Sequence, residues 1–148
     1  MAEQPGDRAA KLRELLRIQR QLLTQFLHIT REQEQIIAND DVESLLKTLE
    51  QRQQLIGQLD ELLAKLNPLW QEYAASLGQD PALNALQEEV GRILRETTEI
   101  DAKNQATIRE RMDFFRAEMK RISATRRGAE TYIKGAEIFS AEYVDERH

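Results

Sequence analysis

The chain has 148 residues, one ordinary domain's worth, with 21 Lys and Arg against 26 Asp and Glu, a net charge of −5 and no cysteine. Three valines, six glycines and three prolines are too few for a sandwich or barrel, the acidic balance argues against a generic nucleic-acid binder, and the missing cysteines exclude disulfides and thiolate metal sites. Uninterrupted apolar runs stop at two or three residues, so neither a membrane span nor a signal-peptide core is present, and the expectation is a soluble, cytoplasmic, all-α protein.

Residues 1–6 contain Pro5 and Gly6 and read as a frayed end, with Asp7 as N-cap of a first helix over about 7–39. Its apolar positions are Leu12, Leu15/Leu16, Leu22/Leu23, Phe26, Ile29 and Ile36/Ile37, with Gln19 and Gln33 at the same heptad-like spacing. Asn39-Asp40-Asp41 breaks the pattern. Asp40 followed by Glu43 reads as a capping-box-like start of a second helix over about 41–77. Its stripe runs Leu45, Leu49, Ile56, Leu59, Leu63, Leu66, Trp70, Tyr73 and Leu77, and Pro68 inside it predicts a kink or short break near Asn67.

Gly78 reads as the stop of that helix, and Asp80-Pro81 as N-cap and first residue of a third. The third stripe runs from Leu83, Leu86, Val90 and Ile93 to Phe115, Met119 and Ile122. No breaker precedes Gly128 apart from an isolated Gly91, so the prediction is one helix of about 45 residues, longer than the other two. In the tail, Tyr132, Ala136, Phe139 and Tyr143 share one face of a short amphipathic helix. That tail carries two Lys/Arg and five Asp/Glu, whereas residues 103–127 carry eight and three. The architecture expected is a single elongated antiparallel bundle or coiled coil of three long helices, with residues 128–148 either mobile or docked conditionally as a fourth. Long unequal helices also permit a homodimer.

Chemistry is nearly absent from the sequence. His28 and His148 are the only histidines, and nothing completes a metal site around them. No phosphate loop, nucleophile elbow or metalloprotease motif occurs. The carboxylates read as the solvated faces of helices, so neither an enzyme nor a cofactor is expected. Lys120-Arg121 and Arg126-Arg127 read as favourable charge near a helix C-terminus. Polar residues do interrupt the stripes: Gln19, Gln33, Arg52, Asn104 and Arg111. They either fix helix register or mark a thinly filled seam whose apolar groove suits an amphipathic partner helix. The groove expected from the first hairpin is formed by Leu15, Leu22, Phe26, Ile29, Leu49 and Ile56.

Three stretches carry a resemblance: the Leu-rich hairpin over 12–56 with its Asp-x-Glu-x-Leu start to the second helix, the segment 93–115 with Asn104 among apolar positions, and the Tyr-containing ending over 129–147. In this order the pattern resembles the FlgN family of flagellar export chaperones, although Arg52 stands where a Lys is common. The resemblance implies a cytoplasmic chaperone that holds the C-terminal helices of the hook–filament junction proteins FlgK and FlgL and delivers them to the type III export apparatus. It also implies that Tyr132 contacts the export gate FlhA. The readings beside it are a sister chaperone with other cargo and a structural coiled-coil protein without a client.

Overall fold

A computed structural model of the chain describes residues 5–75 and 80–122. Among these residues there are four helices and no strand: α1 (Pro5–Ala38), α2 (Val42–Ala75), α3 (Pro81–Glu110) and α4 (Met112–Ile122). With 34 residues each, α1 and α2 are rods about 51 Å long. The all-α bundle expected from the three stripes is what forms.

The buried residues of α1 explain its place. Leu12, Leu16, Gln19, Leu23, Phe26, Thr30, Gln33 and Ile37 alternate steps of four and three, and all are buried. That period keeps one seam on the bundle axis along the whole helix. α1 is the central element: it packs along both α2 and α3, whereas no Cα of α2 comes within 8 Å of a Cα of α3 among the described residues. Arg13–Asp80, Arg20–Glu89 (3.1 Å) and Arg31–Glu96 tie α1 to α3 in ascending order, so those two helices run parallel. Such solvent-accessible pairs, two of them part-buried, stabilise little, but together they specify register.

The hairpin turn closes by a Schellman arrangement. Asp41 N–H donates to Ile36 O, Asp40 N–H donates to Ile37 O, and Asp40 takes the left-handed conformation at φ 57°. This corrects the expected capping box. Asp40 ends α1, and it is Asp41 that caps α2, its carboxylate accepting from Ser44 N (3.2 Å) and Ser44 Oγ (2.6 Å). Likewise α1 begins at Pro5, so Asp7 lies in the first turn rather than at the cap. There its charge still complements the helix dipole. Asp80 caps α3 as expected, accepting from Ala82 N and Leu83 N with Pro81 following.

Two breaks differ from expectation. α2 runs through Pro68 without interruption. Pro68 and Ala64, whose carbonyl loses its partner, both lie on the exposed side, where water can satisfy that carbonyl. Leu66 and Tyr73, on the core side, hold the axis. The third helix does break, at Arg111, so the single helix of about 45 residues is 30 residues followed by 11. Arg111 has φ −113° and ψ 23°, is bonded to Asp40 of the hairpin turn, and lies 4.9 and 5.6 Å from the rings of Phe114 and Phe115. The break lets α4 turn onto the start of α2 and bury Phe115 and Met119 against Val42, Leu45 and Leu46. It resolves the length mismatch, since α3 alone is about 45 Å long and matches its neighbours.

The core is segmented. One cluster at the open end gathers Leu12, Leu16, Leu66, Tyr73, Leu83 and Leu86, with Trp70 packed on it and edge-on to Tyr73 at 5.9 Å. A middle cluster is built on Leu23, Phe26, Leu59, Val90 and Ile93, and a third lies at the hairpin end.

Candidate functional site

Between the middle cluster and the hairpin-end cluster lies a buried polar layer. Gln33 Nε2 donates to Thr48 Oγ1 (3.0 Å), and Gln33 Oε1 accepts from Arg52 Nη1 (2.8 Å). Arg52 Nη1 also donates to Asp101 Oδ1 (2.8 Å), whose other oxygen accepts from Gln105 Nε2 (3.1 Å). Arg52 and Asp101 are both buried, and the guanidinium sits 4.7 Å over the Phe26 ring. One turn along, Asn104 Nδ2 donates to the Thr30 carbonyl (3.1 Å). Four of the five polar seam residues picked from sequence, Gln19, Gln33, Arg52 and Asn104, are therefore inside the bundle, and Arg111 marks the break in the third helix. Asp101, Thr48 and Thr30 were not singled out. Asp101 carries a signal, lying four residues after Thr97 and three before Asn104 on the same stripe. The layer joins α2 to α3 where their backbones stay apart, so it orients the helices and offers no free group to a substrate.

The outer surface is different. Leu15, Leu22, Ile29 and Ile36 recur every seven residues along one edge of α1 and are half-buried, each resting on the cluster beneath it. Ile18 lies among them, 40% exposed. This edge faces away from the arginines that bind α3. Where it meets α2, an open groove has Ile29 and Leu55 as its floor and Thr24, Gln25, Gln51, Gln54 and Gln58 at its rim, with His28 and Glu32 paired at 2.9 Å beside it. His28 is a surface residue, as expected from sequence.

The six residues expected to form one groove are thus divided. Leu15, Leu22 and Ile29 share the outer edge of α1. Phe26 is fully enclosed in the middle cluster and Leu49 is buried in the hairpin-end cluster. Ile56 packs on the middle cluster from the edge of α2 opposite Gln51 and Gln58. The sequence stripes merged these positions because seam residues and edge residues are both apolar; Ile18, off the seam, was missed. Tyr132, Phe139 and Tyr143 lie outside the described residues. Among the described residues no cluster of His, Cys, Asp or Glu could hold a metal ion, and no helix is long and apolar enough to cross a membrane.

The titration shifts belong to the helix ends and to one side-chain pair within α4. The Ser44 side-chain and backbone bonds hold the Asp41 carboxyl below its ordinary value, the Arg121 bond does the same for Glu118, and the Asp40 bond raises Arg111. None of these groups lies on the outer edge of α1.

No curated protein and no solved structure matches the chain. A family model does, that of the FlgN protein, over residues 1–137, which takes in the whole bundle and the groove. The chain therefore belongs to the FlgN family, a family of flagellar export chaperones.

Proposed function

We propose that this chaperone works in the cytoplasm, holds the C-terminal helical segments of the hook–filament junction proteins FlgK and FlgL, and hands them to the type III export apparatus. The observation that carries the reading is the outer edge of α1. Leu15, Ile18, Leu22, Ile29 and Ile36 give apolar anchors along one side of a helix, Ile18 exposed and the other four half-covered, and Ile29 forms the floor of the open groove beside α2. An amphipathic helix laid along such an edge meets anchors at helical spacing, the geometry of helix-in-groove recognition. The family assignment directs the choice of cargo to flagellar proteins, and the resemblance over 12–56 and 93–115 directs it to FlgK and FlgL. Tyr132 is the residue proposed to contact the gate FlhA, through the likeness of the segment 129–147.

A pull-down with the C-terminal fragment of FlgK tests the reading. The full chain is expected to retain the fragment. Replacing Ile18 and Ile29 together by Ala is expected to weaken retention strongly while leaving the helical circular-dichroism signal unchanged. Retention of a filament-cap fragment with none of FlgK would assign the chain a different cargo. Retention of no flagellar fragment at all would contradict the reading.

A further inference from the structure

The rim of the groove is chemically unusual for this molecule. Charged residues make up 32% of the chain, yet the groove is bordered by glutamines and a threonine, and its one acidic residue, Glu32, is bonded to His28. The contrast with the opposite edge of α1 is direct, for there Arg13, Arg20 and Arg31 each meet a carboxylate of α3 or its cap. One edge of the central helix is matched by charge, while the middle of the other has had charge removed. Gln51, Gln54 and Gln58 stand at i, i+3 and i+7, a two-turn row on one face of α2, and all three are exposed. Gln25 faces them across the Ile29–Leu55 floor.

We propose, resting on the cargo reading above, that the groove selects a helix whose apolar anchors are flanked by uncharged amide and hydroxyl side chains. A glutamine side chain offers both a donor and an acceptor, so it can pair with Asn, Gln, Ser or Thr in either sense. A Lys or Glu pressed against the same row loses hydration without gaining a counter-charge, which is unfavourable. The neutral row therefore discriminates by excluding charge as much as by attracting a partner. The i, i+3, i+7 row calls for neutral polar positions of matching period beside the anchors of the bound helix.

The test uses the full chain, the triple variant Gln51→Glu/Gln54→Glu/Gln58→Glu and the triple variant Gln51→Lys/Gln54→Lys/Gln58→Lys. Each is titrated calorimetrically with the FlgK C-terminal fragment, with melting curves confirming that these exposed substitutions leave the fold intact. Both triples are expected to weaken binding about tenfold or more, because either sign of charge faces an uncharged flank. If one sign weakens and the other strengthens binding, the bound helix presents charge to the row and the proposal is overturned. If neither changes affinity, the fragment lies elsewhere on the chaperone: the proposal falls and the cargo reading stands. If the unaltered chain does not bind, the cargo reading falls and this one with it. A concentration-dependent dimer in sedimentation that both triples dissolve would make the occupant a second copy of the chain, which also overturns it.

Discussion

Phe26 and Ile29 sit three residues apart on α1 and do different work. Phe26 is fully enclosed, whereas Ile29 is half-covered at the groove floor. Truncating Phe26 leaves a cavity in the middle cluster and removes the ring beneath Arg52, so Phe26→Ala is expected to cost about 3–5 kcal/mol in chemical unfolding. Ile29→Ala removes surface already partly in water and is expected to cost less than about 1.5 kcal/mol while weakening cargo binding. Equal stability losses from the two substitutions would show that Ile29 belongs to the core. Sequence periodicity placed both on one stripe and could not divide them. A seam position and an edge position three residues on differ by only about 60° around the helix, and the directions from which α2 and α3 pack decide which of the two is enclosed. The buried charge pair makes a second residue-scale case. Asp101→Asn leaves the Arg52 guanidinium buried without its counter-charge and is expected to cost about 3–5 kcal/mol. The double replacement Arg52→Met/Asp101→Leu removes both charges and is expected to be more stable than Asp101→Asn, as a denaturant series on all three proteins would show. A double variant less stable than the single one would mean that the layer contributes more than register.

At the scale of elements, the breaks are where sequence and structure part. Asp80-Pro81 was legible because an acidic N-cap followed by proline has one local solution, and the structure shows it. Asn39-Asp40-Asp41 was legible as a turn, but the assignment of its cap slipped by one residue, because three consecutive Asx side chains can each cap and only the Schellman closure at Asp40 selects Asp41. The break at Arg111 had one local sign, a polar residue on the third stripe, but nothing that marked it as a helix end. It arises from a long-range bond to Asp40 and from the burial of Phe115 and Met119, both invisible to a window moving along the chain. Conversely, the interruption that Pro68 signals is overridden by the packing of Leu66 and Tyr73 on the other side of α2. The Asp41 cap gives a pH-dependent prediction. Its folded carboxyl lies below the ordinary value, through bonds from Ser44 that the unfolded chain lacks. Its contribution is therefore complete above the ordinary carboxylate range and is lost as the pH falls through the depressed folded value. Asp41→Ala is expected to lower the melting temperature at neutral pH, with the gap from the unaltered protein closing in strong acid; a gap independent of pH would contradict the assignment of the cap.

Over its described residues the chaperone is a bundle whose central helix, about 51 Å long, packs along α3 and α2, with an open groove where it meets α2. α4 closes the hairpin end, and the polar layer ties α2 to α3 between two apolar clusters. The all-α class and the family were legible in the sequence, since both rest on long-range order of stripes and breakers. The location of the open edge was not, because it depends on how three similar amphipathic helices share their faces. In the proposed function this edge captures a cargo helix by burying apolar surface. Calorimetric titration of the full chain with the FlgK C-terminal fragment at several temperatures and two salt concentrations tests it most directly. A clearly negative heat-capacity change is expected, with an affinity that holds when salt is raised about tenfold. An affinity that collapses with salt, with no heat-capacity change, would contradict the reading.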